Sequence, residues 1–156
     1  MMNPRTRSLL AIGLGAVLGS VAAAADLPTR FGALKLSDRQ FDNAVSFKGR
    51  TVLRVDNTLS AVRTFKLRNR DAVLMEGEGG SGCPDVYYFI TVSPSGARAT
   101  REFGTCNHMD SVTQKGETIQ VSMHGFLGPF EPAAARRKAL KEKHVFTFRN
   151  GVVTEH

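Results

Sequence analysis

From residue 50 onward the chain is a succession of short runs of strand-forming residues, each closed by turn formers. That rhythm makes an antiparallel β fold the natural way to bury its apolar side chains. The runs cover 51–55, 61–67, 72–76, 86–92, 97–103, 111–114, 118–123, 144–149 and 152–155, with apolar residues recurring at a period near two. Between them stand Asp56-Asn57, Asn69-Arg70-Asp71, Ser93-Pro94-Ser95-Gly96, Lys115-Gly116 and Asn150-Gly151. The last pair is the sharpest hairpin signal, because Asn and Gly both accept the positive φ of a type I′ turn. The pattern predicts a mainly β, single-domain antiparallel sandwich, barrel or meander over 49–156.

One short helix near the C-terminus interrupts it. Pro132 is placed at a first helical position, strong helix formers follow, and basic residues occupy the last turns. Ala135, Ala139 and Leu140 are expected to face the sheet, and Arg136, Arg137, Lys138 and Lys141 the water. Residues 26–48 offer only Leu34, Leu36, Phe41, Val45 and Phe47 as anchors, and read as a lead-in segment with one short strand.

The two cysteines fit this frame. If Ser93–Gly96 closes a hairpin with Val92 opposite Ala97, the same register sets Val86 against Phe103, Tyr87 against Glu102 and Cys83 against Cys106. Facing residues lie about 4.5–5.5 Å apart at Cα, within the span of a disulfide. A thiol site is the weaker reading, since no C-x-x-C is present and His108 alone stands near Cys106. Gly79, Gly80 and Gly82 before Cys83 read as a tight bend between two strands. The stretch lacks the Lys-Ser or Lys-Thr of a phosphate loop and the glycine spacing of a nucleophile elbow around Ser81.

A disulfide calls for an oxidising compartment, and the N-terminus supplies the address. Arg5 and Arg7 precede an apolar stretch over 9–21, and Ala23 and Ala25 form an A-x-A site. This is the layout of a secretory signal peptide over 1–25, cleaved after Ala25, and the apolar run is short for a membrane span. A periplasmic or secreted protein with no transmembrane segment in the mature chain is expected. The net charge of +7 falls to +5 when Arg5 and Arg7 leave. It is unevenly spread, with ten bases and three acids over 30–70 but three bases and eight acids over 71–131. No run of five like charges occurs, and basic residues interleave with too few aromatics for a nucleic-acid surface.

A search for chemistry returns candidates without a motif. His108, His124, His144 and His156 show no metal-ligand spacing, and neither a zinc-protease helix nor an EF-hand loop is present. The reading is therefore of no catalytic residues, no metal and no cofactor. Glu76 and Glu78 would share a strand face, where like charges raise a pKa, and His108 and Asp110 stand close in sequence. The loop "HGFLGPFEP" offers Phe126, Leu127 and Phe130 as contacts for a partner, or as core residues folded over a sheet edge.

The stretch "GGSGCPDVYYFITVSPSGARATREFGTC", with "GETIQVSMHGFLGPFEP" and "HVFTFRNGVVTE", resembles a set of small exported proteobacterial proteins of uncharacterised function. The set shares a glycine pair before Cys-Pro, a tyrosine soon after it and a closing Phe-Gly-x-Cys, and the resemblance spans 71–155. It implies a Gram-negative envelope protein with one disulfide and a mostly β fold, and it brings no catalytic residues. Periplasmic lysozyme inhibitors are similar in size and in their disulfide-clasped β build. Ser95-Gly96 would stand at their inserting loop, but Ala97 and Arg98 replace the usual aromatic, and a basic chain would be repelled by a basic enzyme. The leading expectation is an exported, non-catalytic binding or interaction module for an unknown envelope protein or small ligand. The alternatives are an enzyme whose site gathers His108, Asp110, Glu76 and Glu78, or an inhibitor of an envelope enzyme.

Overall fold

A computed structural model describes residues 25–37, 42–80 and 82–156. The signal peptide expected over 1–25 lies outside them except for Ala25, as do Phe41 and Ser81. The chain is mainly β, laid out as three antiparallel meanders that follow one another in sequence. The first sheet runs β1 (Ala25–Leu27), β2 (Leu34–Ser37), β3 (Asn43–Phe47), β4 (Arg50–Val55). The second runs β5 (Leu59–Lys66), β6 (Asp71–Glu78), β7 (Asp85–Ser93), β8 (Gly96–Ala99), with β9 (Phe103–Cys106) also pairing with β7. The third is β10 (Met109–Lys115), β11 (Thr118–His124), β12 (Lys143–Arg149), β13 (Val152–Glu155).

The second sheet is the middle layer. Strand side chains alternate between faces, so β6 and β7 send two sets of residues in opposite directions. Val73, Met75, Val86, Tyr88, Ile90 and Val92 pack with Leu34, Leu36, Val45 and Phe47 of the first sheet. Ala72, Leu74, Tyr87 and Phe89 pack with Ile119, Val121, Met123, Phe146 and Phe148 of the third. Both faces covered is why "AVLM" and "VYYFI" are unbroken apolar runs rather than alternating ones. On the third-sheet side the aromatics touch directly, with Phe89 and Phe148 ring centres 4.4 Å apart and Phe89 and Phe103 5.5 Å apart.

A polar tie fastens the first sheet to the second. Asp71 is buried to 1% exposure, and it accepts 2.7 Å hydrogen bonds from the backbone N–H and the Nε of Arg30. The same guanidinium donates to the carbonyls of Leu67 and Arg70, so one side chain clamps the turn between β5 and β6. The edge strand β5 carries a register break between Ala61 and Arg63 and exposes Arg63 and Lys66, which disfavours pairing with another chain.

Several expectations need correcting. The segment over 26–48 is not a lead-in with one strand: it supplies β2, β3 and most of β1, and Lys48-Gly49 (φ 48° and 78°) closes a hairpin onto β4. The run over 97–103 is two strands, because Thr100 leaves the ladder. Its backbone N–H reaches the Phe89 carbonyl at 2.9 Å while its hydroxyl accepts from the Phe89 N–H at 3.0 Å. Beyond it Tyr87 faces Phe103, not Glu102, and Cys106 faces Asp85, not Cys83. Pro132 is the residue before the helix α1 (Ala133–Ala139), and Leu140, just after it, is exposed. Asn150 and Gly151 adopt the expected positive φ (53° and 83°), between Arg149 and Val152.

Candidate functional site

Strands β6 and β7 pair with Glu76 opposite Tyr87 and Glu78 opposite Asp85. By strand alternation these four side chains share the face of the middle sheet that looks toward the third. They stand at the end of the sheet where the chain leaves β9 and crosses to β10. That crossing carries His108, and the Cys83–Cys106 disulfide ties its start to the turn before β7, with Cα atoms 4.5 Å apart. Cys83 lies in the turn before β7 rather than in the ladder, so the bond reaches across the strand end. Gly79 lets this bend close: its N–H donates to the Pro84 carbonyl at 2.9 Å, and a Cβ there would stand 2.1 Å from the Cys83 carbonyl oxygen.

The side chains converge. His108 Nδ1 lies 3.3 Å from Glu76 Oε1 and 3.7 Å from Asp85 Oδ2. One ligand atom from each of the three residues falls within 4.8 Å of the others. Together with Glu78, Thr58, Leu59 and Ser60 they line a cleft of about 320 Å³. Behind Glu76, the fully buried Tyr87 donates its hydroxyl to Oε1 at 2.8 Å and accepts the Met109 N–H at 3.0 Å. Burial, then the bond to Glu76, push the Tyr87 hydroxyl above the usual tyrosine range, so it stays a donor.

Asp85 carries an electrostatic cost. Burial first, then the neighbouring Glu76, push its carboxyl above the usual 3.8; His108 opposes them and Glu78 adds to them. Among the described residues no Lys or Arg forms an ion pair with Glu76, Glu78 or Asp85.

Of the residues singled out from sequence, the fold brings Glu76, Glu78 and His108 together. Asp110 goes elsewhere, its Oδ2 2.9 Å from His124 Nδ1. Asp85 was not among the candidates, although its place opposite Glu78 follows from pairing β6 with β7. The loop candidates divide as well. Phe126 is half-buried and, with Leu127, lines a hollow of about 410 Å³ against Ala135 and Ala139 of the helix, whereas Phe130 is 100% exposed and no part of the core. Ser95 sits in a two-residue turn between Ser93 and Gly96, its hydroxyl 2.9 Å from that of Ser93. No helix among the described residues is long and apolar enough to cross a membrane. Comparison with family models, characterised proteins and solved structures gives no match to this chain, so any functional reading rests on the geometry of its own residues.

Proposed function

We propose that the chain is an exported binding module that takes a small cationic ligand in the cleft of Glu76, Glu78, Asp85 and His108. The observation that carries this reading is the convergence of three carboxylates, unmatched by any Lys or Arg among the described residues, on a chain whose net charge is +7. Export is supported by the three-part N-terminus and by a disulfide that persists in oxidising compartments. A strongly solvated ion pair contributes little to stability, and His108 is 72% exposed, so the arrangement has no evident structural return for the cost at Asp85.

The enzyme alternative needs a nucleophile or an activated water. Ser60 and Thr58 line the cleft, but among the described residues neither hydroxyl is hydrogen-bonded to His108. The geometry therefore favours capture over turnover. The test is a thermal-shift panel of divalent ions and small organic amines against the purified protein. A cation that raises the melting temperature of the wild type but not of Glu76→Gln supports the reading. A panel with no response, or equal responses in both proteins, overturns it.

A further inference from the structure

We infer that the ligand of this cleft is a divalent transition-metal ion of the zinc class, held by Glu76, Asp85 and His108. The inference rests on the cation-binding reading above and gives it a chemical identity.

The donor set points to that class of ion. An imidazole nitrogen with two carboxylate oxygens suits zinc and its neighbours, whereas calcium and magnesium prefer oxygen alone. The spacing agrees with it. Ligand bonds of about 2.0–2.1 Å in a tetrahedron put donor atoms roughly 3.3 Å apart. His108 Nδ1 already stands 3.3 Å from Glu76 Oε1 and 3.7 Å from Asp85 Oδ2, and the three donors need only draw together from within 4.8 Å.

The donors are also supported from behind. Metal-bound carboxylates are commonly oriented by outer hydrogen bonds. Here the Met109 N–H, the Tyr87 hydroxyl and Glu76 Oε1 form such a chain, anchored in the core by a ring with no exposure. The disulfide holds the His108 crossing against the start of β7, so the three donors come from segments already tied together. A dication would also relieve the crowding of Asp85 by Glu76 and Glu78.

A protonated His108 bridging the two carboxylates would use the same atoms, and binding data separate the two states. The experiment measures zinc affinity of chelator-treated protein by competition with a chromogenic chelator, alongside melting temperatures with and without zinc, calcium, magnesium and a small organic amine. One equivalent of zinc is expected, bound in preference to calcium and magnesium. His108→Gln and Asp85→Asn should each lose at least tenfold in affinity, and Tyr87→Phe roughly 10–100-fold. Zinc should raise the melting temperature of the wild type and leave that of Asp85→Asn where it is. His124→Gln, outside the cleft, should bind as the wild type does.

Zinc binding unchanged by His108→Gln and Asp85→Asn, or calcium bound as tightly as zinc, overturns the inference. An amine that shifts the wild type while zinc does not would overturn the metal and leave the cation-binding cleft standing. Silence from every cation would overturn both.

Discussion

Single residues show where this molecule places its charge and at what cost. Asp71 is a buried carboxylate that accepts from the backbone N–H and the Nε of Arg30, a side chain 39% exposed, so its loss removes two charge-assisted hydrogen bonds rather than stranding a buried cation. Asp71→Ala should destabilise the protein by about 1–3 kcal/mol, read as a lower denaturant midpoint with the slope unchanged. Asp85 is the opposite case. Its folded pKa is raised, so the stabilisation that accompanies its protonated form is full below 3.8 and is lost as pH rises through the folded value. Asp85→Asn escapes that loss. The variant should be more stable than wild type at neutral pH, by less than about 1 kcal/mol, and the two melting curves should converge as pH falls toward 3.8. Titratable residue types were legible in the sequence, and that found Glu76, Glu78 and His108. Which of them meet is a matter of pairing: a bulge at Asp110 in the β10/β11 ladder turns that carboxylate to His124, and the β6/β7 register delivers Asp85, from the start of β7, in its place.

At the scale of elements, strands flanked by strong turn formers were legible, and β13 begins and ends where its alternation does. The short strands β1, β2 and β3 were not, because three to five residues carry too little periodicity to stand out, and a lysine enters positive φ at the turn after β3. The hairpin register from Ser93 holds as far as Ala99 and then slips, since the Thr100 side chain replaces a backbone partner in a way that alternation cannot encode. The disulfide survives the slip because Cys83 lies in the turn before β7, outside the ladder, and from there reaches Cys106 at the last position of β9. Cys83 and Cys106 are 23 residues apart, and joining them should stabilise the fold by roughly 3 kcal/mol through the unfolded state. The double variant Cys83→Ala, Cys106→Ala should show that loss in chemical denaturation. Because the bond also positions the His108 crossing, the variant should lose cation affinity beyond what its stability accounts for, measured where it remains folded.

For the whole molecule, the middle sheet is common to both cores. Phe89 sits fully buried between Phe65, Phe103 and Phe148, so Phe89→Ala removes contacts with three strands at once. The expected cost is about 3–5 kcal/mol, and a single coincident unfolding transition by tyrosine absorbance and far-ultraviolet dichroism would show that the layers melt together. The order of the sheets along the chain also sets a timetable. A chain that emerges N-terminus first, from a ribosome or through a membrane, arrives one layer at a time, and the first layer is complete when Val55 emerges. Its inner surface of Leu34, Val45 and Phe47 then has nothing to rest on until β6 and β7 have been synthesised, some way further along. A nascent chain stalled before Asp71 is thus a sticky half-product, and during that interval it has most need of a chaperone's grip.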